Sequence, residues 1–123
     1  MKTKHQDREK VFAVLFSRLM ESGNSAIEFL GDLDREQFKK DRLRQSAVSL
    51  ALGNFGETAG RIMEMFPEVV QKHPDVEWRN IKGLRNRIFH DYFEIDFELI
   101  YEIVKSELPR DLKLLSGITP DLS

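Results

Sequence analysis

No stretch of this chain alternates apolar and polar residues for long enough to make a convincing strand, and that restricts the fold more than any other feature. Helical spacing recurs instead. Val11, Leu15 and Leu19, with Phe12 and Phe16, repeat at intervals of three and four residues, as on one face of a helix. Turn signals are few and well separated: Asp32 to Asp34, His73-Pro74-Asp75, and Glu94-Ile95-Asp96. The chain reads as all-α. Short connections between long helices favour antiparallel neighbours, so an antiparallel bundle of four to five helices is expected.

Local signals set the expected boundaries. A first helix spans about Asp7 to Leu30, with a break at Gly23-Asn24 and a restart through a Ser25/Glu28 capping box. Asp34 with Gln37 forms a second box and opens a segment from about Arg35 to Met65, bent near Asp41. Pro67 suits the first turn of a short helix over Glu68 to Lys72. Asp75 is the expected cap of a helix over Val76 to His90, and Asp96 of one over Phe97 to Ser106. Pro109 then starts a separate turn, Arg110 to Leu115. Residues 1–116 read as a single helical domain and 117–123 as a frayed tail.

Ala47, Ala51, Gly53, Gly56, Ala59 and Gly60 crowd the middle of the second long helix. A glycine inside a helix costs roughly 0.5–1 kcal/mol relative to alanine, so three of them need a reason. Small residues let another backbone come close, either within the monomer or across a dimer seam. Glu57 lies among them. It either pairs with Arg61 four residues on or turns inward to hold a basic residue of the third helix.

The densest chemistry lies in Arg85-Asn86-Arg87-Ile88-Phe89-His90-Asp91-Tyr92. On a helical wheel Ile81, Leu84 and Ile88 form a core stripe, and Arg85 and Tyr92 fall within the same arc. A guanidinium there implies a buried ion pair or a cleft. His90 is either a C-terminal cap or a proton donor and acceptor, since imidazole titrates near neutrality. Arginine holds phosphate through a planar fork, and asparagine can orient either partner. Arg85, His90 and Asn86 therefore suffice for RNA cleavage without a metal. Arg85 and His90 are five apart, so an ideal helix splays them by about 140°. They converge if the helix distorts after Phe89 or if a symmetric dimer completes the cleft. Arg79, Lys82 and Arg87 form either a solvated basic face or a funnel for RNA phosphates.

The rest of the chain narrows the choice. Cysteine is absent, which excludes disulfides, thiol nucleophiles and thiolate metal sites. Three scattered histidines, His5, His73 and His90, give no zinc spacing, so no metal and no cofactor is expected. The charged N-terminus and the short apolar run Val11 to Phe16 fit neither a signal peptide nor a membrane span, so a cytoplasmic location is expected. A net charge of −2 and a pI near 5.9 disfavour a general nucleic-acid binder and confine any RNA contact to a local patch.

Three pieces resemble the HepT-like HEPN family of bacterial and archaeal toxins. Asn54-Phe55-Gly56-Glu57-Thr58-Ala59 is similar to its Gly-Glu-Ala element, with Thr58 where alanine is usual. Val76 to Asn86 is similar to its tryptophan-to-Arg-Asn segment. His90-Asp91-Tyr92-Phe93 completes R-x-x-x-x-H-x-Y. The resemblance covers about Arg44 to Leu115, and the first forty residues share only helical character. It implies an all-α homodimer with the Arg-His motif at a subunit cleft, acting as a metal-independent endoribonuclease on RNA. It also implies pairing with a nucleotidyltransferase antitoxin that transfers AMP to Tyr92, where an anionic adduct would block RNA phosphate. The alternative implied by a related helical group is a non-catalytic, substrate-binding subunit of a nucleotidyltransferase. A third reading is a structural helical dimer with an ion-paired Arg85.

Overall fold

The computed structural model describes residues 4–89, 94–120 and 122, with His5 described by its backbone alone. Two long helices, α1 (Lys4–Leu30) and α3 (Arg42–Met65), carry the fold. They run antiparallel. Phe12 near the start of α1 meets Phe66, just past the end of α3, edge to face at 5.2 Å. At the other end Arg44 donates to the Phe29 carbonyl at 3.0 Å. The pair buries Phe12, Leu19 and Leu30 against Val48, Leu52, Phe55 and Ile62. Each fully buried side chain of this size contributes about 1.5–3 kcal/mol.

Glycine explains both the end of α1 and its continuity. Gly31 stops the helix at φ 57°, a conformation that favours glycine. Gly23, by contrast, does not break α1. A Cβ there would stand 2.6 Å from Leu112 Cδ2 and 3.1 Å from the Phe55 ring. Its missing side chain leaves room for two core residues, and the expected kink and Ser25 restart are absent. Asp34 and Gln37 do form the expected reciprocal cap of α2 (Arg35–Lys40), with bonds of 2.8 and 2.9 Å. Asp41 adopts an extended conformation and caps α3 by accepting from Arg44 N at 2.9 Å. Pro67 opens α4 (Pro67–Lys72), where a missing N–H costs nothing.

The third segment is not one helix. α5 (Trp78–Lys82) and α6 (Leu84–Ile88) are separated at Gly83, and the chain leaves helical geometry at Phe89. Glu77, not Asp75, precedes α5 and gives no side-chain cap. α5 lies across the glycines of α3. A Cβ on Gly56 would fall 2.7 Å from the Ile81 carbonyl oxygen. Gly60 faces the Lys82 stem and Gly53 the Arg85 stem. Gly53, Gly56 and Gly60 thus serve packing within this chain.

The C-terminal region is one helical rod. α7 (Phe97–Glu102), capped by Asp96, passes through a π-helical stretch at Ile103–Glu107 into α8 (Leu108–Leu115). Pro109 was expected to start a separate turn. Proline lacks the N–H and crowds the carbonyl four residues back, and the wider π turn just before it absorbs that conflict. Among the described residues there is no strand, only an isolated antiparallel bridge, Phe89 to Ile95. No described helix is long and apolar enough to cross a membrane.

The Gly56 contact gives a paired prediction. Gly56→Ala should lower stability by about 1–3 kcal/mol, because backbone must move. Gly60→Ala meets only the flexible Lys82 side chain at 3.4 Å and should gain up to about 1 kcal/mol from helix propensity. Urea midpoints of the two variants measure the contrast.

Candidate functional site

Arg85 stands between two grooves on the α3 side of α6. Its aliphatic stem lies over Gly53, whose added Cβ would sit 3.8 Å from Arg85 Cγ. Its guanidinium lies 5.6 Å from the Phe89 ring centroid, within cation–π range. The side chain is exposed, and no carboxylate pairs with it among the described residues. The apolar arc is therefore reconciled by snorkelling: the stem covers the helix and the charge reaches solvent. The core stripe holds, with Ile81, Leu84 and Ile88 all buried.

One groove, of about 680 Å³, runs along Gly56, Gly60 and Met63 and gathers Arg61, Lys82 and Arg85 with Glu57 and Glu64. Glu57 is exposed and reaches Arg61 at 4.0 Å, the surface pairing of the two open readings. Such a pair contributes little on its own. The other groove, of about 300 Å³, lies between α3 and the Phe89–Ile95 bridge.

The remaining basic residues do not share one face. Arg79 lines a third groove with Pro67, Val70 and Trp78, away from Arg85. Arg87 points to the C-terminal rod and donates twice to Glu107, at 2.9 and 3.0 Å. Asn86 is exposed and lines neither groove beside Arg85. His90 and Tyr92, the other two singled-out residues, lie outside the described residues. The chain does leave the helix at Phe89, with φ −103° and ψ 108°, immediately before His90. A distortion at this point is one of the two ways in which the five-residue spacing could converge, the other being completion of the cleft by a second subunit. Asp96 N donates to the Ile88 carbonyl at 2.8 Å, which ties the N-cap of α7 to the end of α6.

Sequence reasoning missed the support behind the motif. Glu107, at the end of the π stretch, accepts from Arg87 on α6 and from Asn80 on α5. The Arg87 hydrogen bonds hold its carboxyl below the ordinary range, against the opposing effect of burial. No sequence spacing joins positions twenty and twenty-seven residues apart. Beside this cluster Asp111 is 3% exposed, and its Oδ1 has no hydrogen-bond partner among the described residues. Burial pushes its carboxyl up to about 6. Glu107 and Glu77 add to the shift, while Arg110 and Arg87 oppose it. No group of three or more His, Asp or Glu side chains among the described residues could hold a metal ion.

The family described as Ribonuclease HepT-like matches residues 19–117. The chain belongs to the HepT-like ribonuclease family. It is 32% identical over 115 residues to “Putative RNase MJ0127” of Methanocaldococcus jannaschii, covering 94% of this chain and 92% of that one. A second protein of that organism, “Putative RNase MJ1380”, is 39% identical over 92 residues, covering 75% and 82%. “Probable ribonuclease HepT” of Thermococcus cleftensis is 32% identical over 82 residues, covering 67% and 72%. No solved structure gives a significant match.

The buried Asp111 sets a pH dependence. Its folded pKa lies above the ordinary 3.8, so the folded state takes up a proton between 3.8 and about 6. Stability therefore falls as pH rises through that window. Asp111→Asn should stabilise the chain by on the order of 1–3 kcal/mol above pH 6, one pKa unit being about 1.4 kcal/mol. The gain should vanish below the ordinary carboxylate pKa. Denaturant titrations of both chains across that range check the sign.

Proposed function

We propose that this protein is a metal-independent endoribonuclease, the toxin of a toxin–antitoxin pair. The observation that carries the reading is Arg85, exposed between two grooves, in a chain that leaves its helix directly before His90. Family membership supports RNA as the substrate.

The chemistry follows from the side chains. Arg85 clamps the scissile phosphate through its planar donors and stays charged throughout. His90 takes the proton of the 2′-hydroxyl. The freed oxygen attacks phosphorus, and the bond to the 5′-oxygen breaks. The leaving oxygen receives a proton from an imidazolium, giving a 2′,3′-cyclic phosphate and a 5′-hydroxyl. Asn86 lies outside both grooves beside Arg85 and would orient the pair across a cleft completed by a second subunit. A homodimer supplies two imidazoles to one cleft, one for each proton transfer.

Regulation would act on the same motif. A nucleotidyltransferase antitoxin transfers AMP from ATP to the Tyr92 hydroxyl, two residues beyond His90, with pyrophosphate and the phenolic proton leaving. The adduct brings negative charge into the motif and competes with the RNA phosphate.

Cleavage of single-stranded RNA in the presence of EDTA tests the first half. Arg85→Ala and His90→Ala should each lower the rate by at least about 100-fold while the protein stays folded and keeps its sedimentation mass. Undiminished cutting by both variants would reject the assignment. Intact mass after co-expression with the cognate nucleotidyltransferase tests the second half. AMP additions are expected on the wild type and not on Tyr92→Phe.

A further inference from the structure

Ser46, Ser49, Leu50, Gly53 and Asn54 repeat at i, i+3, i+4, i+7 and i+8 along α3, the spacing of a single helix face. Such a face is ordinarily apolar where it meets a neighbour. Here it carries two hydroxyls, an amide and a bare glycine. Opposite stand Arg85, Phe89 and Ile95, and the space between is about 300 Å³. Among the described residues that line it, Arg85 is the only charged one.

Ser49 marks this space as more than a packing gap. It is 6% exposed, and its Oγ has no hydrogen-bond partner among the described residues. A serine within a helix ordinarily returns its hydroxyl to the carbonyl four residues back. A buried hydroxyl without that bond is unfavourable until something supplies a partner. Leu50 adds an apolar wall and is itself 68% exposed. The groove thus combines an aromatic ring, an aliphatic wall, and three side chains, Ser46, Ser49 and Asn54, that both donate and accept.

We propose that this groove is a nucleobase pocket, seating the base next to the phosphate that Arg85 holds. The inference rests on the ribonuclease reading for the identity of the ligand as RNA. Its volume of about 300 Å³ accommodates a planar base. Proteins read single-stranded RNA by splaying bases out, stacking them on aromatic rings or guanidinium planes, and bonding their edges. Phe89 with the Arg85 guanidinium near its ring provides the stacking element. Ser49 and Asn54 provide the edge contacts. The sugar-phosphate backbone then passes Arg85 toward the groove holding Lys82 and Arg61.

The test maps cleavage sites on a random-sequence single-stranded RNA by sequencing product ends. Wild type should prefer particular bases at one position adjoining the cut. In Ser49→Ala and Asn54→Ala, checked as folded by thermal melts, the ratio between best and worst base there should fall by about tenfold. An unchanged ratio overturns the pocket, even where cutting slows at all sites alike, and leaves the nuclease reading standing. A second measurement needs no cleavage: titration of the wild-type chain with ribonucleoside 3′-monophosphates, followed by amide NMR shifts. Shifts at Ser49, Gly53 and Phe89 that weaken in Ser49→Ala support the pocket, and with no RNA cut they would reject the nuclease reading alone. No shift at these residues, or a changed sedimentation mass in Ser49→Ala, marks the groove as a protein contact and overturns the proposal.

Discussion

The approach of the Ile81 carbonyl to Gly56 fixes where the functional segment sits. A methyl group at that position would overlap the α5 backbone at 2.7 Å. Its absence lets α5 lie directly on α3, with Trp78 and Ile81 buried at the junction. The neighbouring glycines then carry the stems of Lys82 and Arg85, so two cations emerge along one line beside α3. Removing side-chain volume in the scaffold is what brings charge to a defined place on the surface.

The opposite side of the segment is held electrostatically. Arg87 and Asn80 both reach Glu107, which ties α5 and α6 to the end of the π stretch. This pair is half-buried, where an ion pair is screened less than on the open surface. Van der Waals contact on one flank and a bidentate ion pair on the other leave Arg85 facing outward between them. Asp111 is the unfavourable element nearby, a carboxyl forced toward neutrality by its surroundings.

On the ribonuclease reading, the charge distribution has a consequence for affinity. The chain as a whole is slightly acidic, and the groove beside Arg85 mixes Arg61, Lys82 and Arg85 with Glu57 and Glu64. RNA therefore gains little from a long-range field and depends on contacts at the motif. Few phosphates are neutralised, so binding should depend only weakly on salt.

The helical class, several element boundaries and the position of the motif are legible in local sequence. Asp34 with Gln37, Asp41, Pro67 and Asp96 act within three or four residues, so their effects are readable locally. Long-range packing sets the rest. Gly23 continues a helix because Phe55 and Leu112 need its space, and Pro109 stays within a rod because a π turn precedes it. Arg79, Lys82 and Arg87 lie close together in the chain yet face three different surroundings. Which way a side chain points depends on what packs beside it. The Arg87–Glu107 bridge and the Ser49 groove join parts of the chain that no local spacing relates.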